Sequence, residues 1–269
     1  MPKTSYSNKD VVIVKHKINF KKLLIIPFLI LCLGFMIIIS DLFSNLITVG
    51  TFRLSFFGSG NNVVVDKHTL YSLNMGKFTT IQEAENYALT SGLQGASGFI
   101  WQNDKEYYVV GNIYNSLKDA QSVRSNILPT NGNVFITEIN FNKINMPLTK
   151  FSPEQRTEIK RSLTYLTHLH EKIYDYVIKI DKGNMSAASA SSQVINLKAD
   201  AIIISGKLDL INSTNPNEDI IKIKNTYVKV LENLNELVIK LINANELSHR
   251  IKYSYVDLIK LKFDLFRSL

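Results

Sequence analysis

Apolar and polar positions alternate with period two in three short stretches of this chain and with helical period in several longer ones. Tyr71-Ser-Leu-Asn-Met-Gly76-Lys-Phe78 sets Leu73 and Met75 against Ser72 and Asn74, and Tyr107-Tyr-Val-Val-Gly111-Asn-Ile-Tyr114 sets Tyr107 and Val109 against Tyr108 and Val110. Each stretch ends in glycine as a turn signal and leads into a helical pattern, Ile81 to Ala88 in the first case and Leu117 to Ile127 in the second. Overlaying Gly76 on Gly111 brings Ala84 opposite Ala120 with one inserted residue, so the two units read as a duplication. With a turn at Asn103-Asp104 and a closing strand over Asn133-Val-Phe-Ile-Thr-Glu-Ile139, the order is β-α-β-β-α-β. In this ferredoxin-like or RNP-type arrangement two helices cover one sheet face and leave the other free for a ligand.

Beyond Met146-Pro147 the period changes to heptads. Ser152-Pro153-Glu154-Gln155 combines a serine cap, proline at the first helical position and a glutamine that completes a capping box. Ile159, Leu163, Leu166, His170, Ile173, Val177 and Ile180 then recur at spacings of four and three, up to a stop at Gly183. A second series runs through Ala187, Ala190, Val194, Leu197, Ala201, Ile204, Leu208 and Ile211, and a third from Ile220 to Leu241 after Asn215-Pro216-Asn217. The phase breaks near Asn243-Ala-Asn245, and Leu247, Ile251, Leu258, Leu261 and Leu265 make either a fourth helix or a kinked continuation. Short loops between such helices imply an antiparallel bundle.

One segment is apolar on every side. Leu23 to Ser40 is eighteen residues without a charge, about 27 Å as a helix, close to the hydrocarbon thickness of a bilayer. The net charge of +8 is concentrated beside it: six lysines less Asp10 place +5 in the first 22 residues, leaving 25 basic against 22 acidic residues elsewhere. Basicity confined to a tail argues against a nucleic-acid groove and, by the positive-inside rule, keeps the tail cytoplasmic and everything from Asp41 onward outside. A cleaved signal peptide needs small residues of the A-x-A kind, yet no alanine precedes Ala84, which favours an uncleaved anchor. The sole cysteine, Cys32, falls within this span and excludes an internal disulfide.

The expected architecture is therefore α+β: a basic tail over 1–22, a membrane helix over 23–40, a juxtamembrane linker over 41–66, a βαββαβ domain over 67–142 and a helical bundle over 152–269. No metalloprotease, nucleophile-elbow or phosphate-loop pattern occurs. His168 and His170, two apart on a helix, point about 200° apart and cannot share a metal; His170 takes a core position as a hydrogen-bonded packing residue. The sequence thus implies no enzyme, metal or cofactor.

Residues 67–140 resemble the SPOR domain (sporulation-related repeat). Leu73-Asn74-Met75-Gly76-Lys77-Phe78 follows that family's V-Q-V-G-x-F strand, and Ala84 its helix alanine; Glu106 to Ile113 is a looser match to Y-x-V-x-V-G-P-F, with Ala120 as the second alanine. Asn74 replaces the usual glutamine, and Asn112 and Ile113 replace the proline and phenylalanine. The resemblance implies non-catalytic binding of peptidoglycan glycan strands stripped of stem peptides, and location to septa in cell division or sporulation. Such a strand takes hydrogen bonds from carboxamides and hydroxyls and stacks its C–H faces on aromatic rings. Asn74 and Ser72 are the expected polar contacts, Tyr107 the aromatic one, with Trp101 joining if it faces outward. The alternative is a structural scaffold of the envelope, in which the bundle self-associates or recruits envelope proteins. An RNA-binding reading of the same strand order fails for want of an RNP1 pattern over Glu106 to Ile113.

Overall fold

The computed structural model describes residues 61–127, 132–242 and 247–269. The expected tail, the membrane span and the linker up to residue 60 lie outside the described residues, and among the described residues no helix is long and apolar enough to cross a membrane. The described residues belong to one compact unit. Its chain order is β1 (Asn62–Val65), β2 (His68–Phe78), α1 (Ile81–Leu93), β3 (Phe99–Asn103), β4 (Glu106–Tyr114), α2 (Leu117–Ile127), β5 (Phe135–Phe141), β6 (Ile144–Pro147), α3 (Pro153–Asp181), α4 (Ala187–Thr214), α5 (Glu218–Ile242) and α6 (Leu247–Ser268). The fold is α+β, with the helices of the bundle following the sheet.

Strands β2 to β5 form an antiparallel sheet in the order β3-β4-β2-β5, which with α1 and α2 completes the expected βαββαβ topology. Both helices pack on one face, where Ala84 and Ala120 are fully buried against Leu73, Met75 and Val109. Alanine suits these positions because a larger side chain would hold the helix off the sheet.

Gly76 and Gly111 end no strand, contrary to the sequence expectation; each lies inside one, with φ outside the left-handed region. Two register shifts occur where they pass each other, between Leu73 and Asn74 and between Asn74 and Gly76. A Cβ on Gly111 would lie 2.9 Å from Met75 Sδ and 3.2 Å from the Leu73 carbonyl oxygen. Glycine is required there by close approach, not by a turn.

The end of the expected 41–66 linker is structured. Asn62–Val65 is a strand, paired antiparallel to β6, with Val63 and Val65 buried and Asn62 and Val64 exposed. Four residues are too few to announce a strand by period alone, and a glycine-serine-asparagine run hides its start.

Among the described residues the bundle has four helices. Ser152 caps α3 through the expected capping box with Gln155, and every heptad position from Ile159 to Val177, from Ala190 to Ile211 and from Ile220 to Leu241 is buried. Neighbouring helices run antiparallel. Gln155 at the start of α3 bonds Thr214 at the end of α4, Asp209 of α4 pairs with Lys224 of α5, and Lys222 of α5 donates to the Ser268 carbonyl of α6. Asp181 at the end of α3 accepts from Ser248 and Lys252 at the start of α6, which closes the ring.

The sheet's second face is not free. Leu70, Val110, Ile113, Ile139 and Phe141 share one continuous core with the bundle. Helix α6 is the cover: Tyr253 packs on Phe99, and Phe263 packs on both Trp101 and Phe141. It can do so because it is apolar over two arcs, with Ile251, Leu258 and Leu265 on one and Tyr255, Val256, Ile259, Lys262 and Phe266 widening the buried side beyond a simple heptad seam.

Candidate functional site

A cleft of about 190 Å³ stays open where α6 crosses the sheet. β2 supplies Ser72 and Asn74 from the face turned toward α6, and β5 supplies Thr137, registered directly opposite Ser72. Trp101 of β3 and Tyr108 of β4 are themselves a register pair, so two aromatic side chains stand together on this face. From α6 come Lys260, Phe263, Asp264 and Arg267, whose spacing of three, four and seven puts them on one helical face.

The polar floor is built on hydrogen bonds within the protein. Asn74 Nδ2 donates to Thr137 Oγ1 at 2.9 Å and to the Ser72 carbonyl at 3.3 Å, and Ser72 Oγ donates to Asn74 Oδ1 at 3.0 Å. Both amide donors of Asn74 are therefore used. With Asn74 only 1% exposed and Ser72 3% exposed, these two hold Thr137 in place, and the half-buried Thr137 keeps its own hydroxyl proton to offer. Above the floor, Lys260 bonds Asp264 at 2.5 Å and lies 5.5 Å from the Trp101 ring centroid. Arg267 sits 5.6 Å from the Phe263 ring. Lys260 and Arg267 stand against Asp264 and Glu138 in the lining, so the cleft favours neither anions nor cations.

Three of the four residues nominated from sequence thus meet: Ser72, Asn74 and Trp101. Tyr107 does not. It is paired with Phe78 and packs on the α1 and α2 side. Two offsetting irregularities are the cause: the ladder leaves Gly111 of β4 and then Met75 of β2 without a partner, so Val110 and Tyr108 share the face of Asn74 and Tyr107 takes the other. Tyr108 takes the expected aromatic place, its hydroxyl donating to Glu106 at 2.7 Å while Lys77 holds the same carboxylate at 2.8 Å. Hydrogen bonds from Lys77 and then Tyr108 lower the Glu106 pKa. Thr137, Lys260 and Arg267 were not foreseen; the pairing of β5 with β2 and the docking of α6 are long-range facts that no local pattern encodes.

Behind the cleft is a buried basic cluster, also unforeseen. Lys262, 1% exposed, lies 5.0 and 5.4 Å from the centroids of Phe141 and Phe266 and 3.4 Å from His68 Nε2. Burial pushes its pKa down to about 7, against an upward pull from Glu171. His68, stacked on Phe141 at 4.3 Å, is lowered to about 4 by burial and then by the Lys262 charge. His170 is buried as its heptad position required, but neither ring nitrogen has a hydrogen-bond partner, and burial holds its pKa well below the usual imidazole value. Among the described residues no group of three or more histidine, cysteine, aspartate or glutamate side chains is arranged to hold a metal.

Larger grooves exist, about 510 Å³ between α5 and α6 and about 550 Å³ beside Leu89 and Leu93 of α1. The first is lined by the mixed charges of ordinary helix surfaces. The smaller cleft combines the sheet's central polar residues Ser72 and Asn74 with Trp101. No known protein family matches this chain, and no match is found among curated proteins or among solved structures.

Proposed function

We propose that this chain binds a carbohydrate strand without catalysing a reaction on it, as a SPOR-like protein held in the cell membrane by one helix, with its folded part outside. The ligand is peptidoglycan glycan stripped of stem peptides, and the place of action is the septum of dividing or sporulating cells. The observation that carries this reading is the meeting of Ser72, Asn74 and Trp101 in one cleft with Thr137 and Tyr108. A hydroxyl donor fixed beside two aromatic rings, in a setting of balanced charge, suits a neutral sugar: hydroxyl and acetamido groups meet Thr137, and the C–H face meets Trp101. The volume is below the range of about 300 to 1,000 Å³ usual for enclosed small-molecule sites. The cleft therefore takes one end or one ring of a strand, with the remainder along exposed Gln102, Asn103 and Asn140.

A second reading, an envelope scaffold acting through the bundle, is favoured by the burial of Val110, Ile113, Ile139 and Phe141 in the core shared with the bundle, which narrows the face a strand can use.

The experiment is co-sedimentation of the full chain with cell-wall sacculi before and after amidase treatment. Binding should rise on denuded glycan and fall about tenfold, equivalent to about 1.4 kcal/mol, in Trp101→Ala and in Thr137→Val. Tyr107→Ala, on the opposite face, should bind as the parent does. Binding unchanged by Trp101→Ala, or absent from both preparations, sinks the glycan reading and leaves the scaffold.

A further inference from the structure

Helix α4 carries two heptad stripes, and the bundle uses one of them. The inner stripe, Ala190 to Ile211, is the core. On the outer side Ala188, Ser192, Ile195, Ala199, Ile202, Gly206, Asp209 and Ser213 keep the same alternation of four and three, and all are exposed. Ile195 is 50% exposed and Ile202 51%, while the flanking Ile203 and Leu210 are 51% and 59% exposed. Apolar side chains scattered on a surface need no explanation, but a heptad-spaced row along one helix is the pattern of a seam.

Gly206 is the second observation. It lies inside a 28-residue helix, where glycine costs roughly 0.5 to 1 kcal/mol relative to alanine. A Cβ added there would meet nothing within 4 Å, so no contact among the described residues requires glycine. Close approach of another backbone from outside would.

We infer that a second copy of this chain docks on the outer stripe of α4, antiparallel and two-fold symmetric. The spacing selects this occupant and orientation. In one heptad row the residues are small, Ser192, Ala199, Gly206 and Ser213; in the other they are Ala188, Ile195, Ile202 and Asp209. Parallel pairing sets like against like, so isoleucine layers and glycine or alanine layers would demand different interhelical distances. Antiparallel pairing sets one row against the other. Ile195 then faces Gly206 of the second copy and Ile202 faces its Ala199, each large residue filling the space over a small one at constant spacing. The outer layers pair Ser192 with Asp209, whose charge Lys224 of its own chain neutralises at 2.6 Å. Four apolar layers bounded by polar ones give a modest, concentration-dependent dimer. The inference does not depend on what the cleft binds.

Disulfide trapping in the full chain tests it, with Cys32→Ser as background so that no other thiol competes. In antiparallel register residue 188 faces residue 213, whereas the two copies of residue 188 lie 25 positions apart, roughly 38 Å. Ala188→Cys chains mixed with Ser213→Cys chains should crosslink readily, and Ala188→Cys alone should not. Sedimentation should show a dimer that Ile202→Lys, an exposed change tolerated by the monomer, weakens at least tenfold with helicity unchanged. Self-crosslinking of Ala188→Cys, a monomer at every concentration, or a dimer indifferent to Ile202→Lys overturns the proposal.

Discussion

Lys262→Met should make this protein more stable, with the larger gain at pH 7 and below and a smaller one toward pH 9.5. The parent lysine is buried against Phe141 and Phe266, with His68 of β2 and with Glu171 of α3 as the carboxylate that partly offsets its burial. Folding lowers its pKa from the ordinary 10.5 to about 7. The folded state thus releases a proton that the unfolded chain keeps between those two values, so stability rises with pH across that window. Below pH 7 both states are charged and the penalty is at its full size, 3.5 pKa units at about 1.36 kcal/mol each, or about 5 kcal/mol. Between pH 7 and 9.5 the same linkage relieves about 3 kcal/mol. Above pH 10 the buried tyrosines act the other way, since Tyr114 and Tyr174 are raised to about 12 and keep protons the unfolded chain loses. His68 and His170, both lowered, add their own rise with pH only below about 6.5. Urea unfolding of the full chain in mild detergent, followed by the fluorescence of Trp101 at the boundary between sheet and α6, isolates the window from pH 7 to 9.5. The parent should gain about 3 kcal/mol across it, and Lys262→Met should be flat and more stable at pH 7 by several kcal/mol. A flat parent, or a methionine variant that keeps the slope, refutes the assignment of the charge penalty to Lys262.

Gly111→Ala places a methyl group 2.9 Å from Met75 Sδ and 3.2 Å from a backbone oxygen that cannot move away; it should cost about 1 to 3 kcal/mol in the same unfolding assay, part of it recovered by Met75→Ala. A fragment ending near residue 150 should fail to fold as a soluble monomer. It exposes Leu70, Val110, Ile113, Ile139 and Phe141, which at about 1.5 to 3 kcal/mol each amounts to the whole stability of an ordinary domain; sharp, dispersed amide resonances from that fragment would refute this.

Local patterns carried much of the architecture. Period two located β2 and β4, and heptads located α3, α4 and α5 almost residue for residue, because in both cases the buried face is written in side chains a few positions apart. Helix α6 was legible only in part: Leu247 to Leu265 showed the side turned to the bundle, while Tyr255, Lys262 and Phe266 bury against partners far away in sequence. A lysine in particular reads as surface, and only the assembled core shows it enclosed. The same limit governs the cleft. Ser72 and Asn74 were found by alternation, but alternation fails across a register shift, and that put Tyr107 where Tyr108 belongs. Thr137 gains meaning only from being registered opposite Ser72, which no window around residue 137 contains.

The two proposed surfaces are complementary in placement. The cleft is built by the sheet and α6, whereas α4 packs mainly against α5 and α3 and leaves the sheet to α6. Pairing through the outer stripe of α4 therefore leaves both clefts uncovered. A cleft of about 190 Å³ that holds one end of a sugar strand binds weakly by itself, since few atoms are desolvated. Two such clefts on one dimer, meeting the same or neighbouring strands, convert the second contact into an intramolecular one, and avidity can then exceed single-site affinity by about 10² to 10⁴ when the geometry permits both. On this reasoning Ile202→Lys, far from the cleft, should weaken retention on sacculi while leaving the binding of a short soluble glycan fragment unchanged, whereas Trp101→Ala should weaken both. Equal retention on sacculi by the parent and Ile202→Lys would mean that each copy binds alone and that the α4 seam serves assembly without serving recognition.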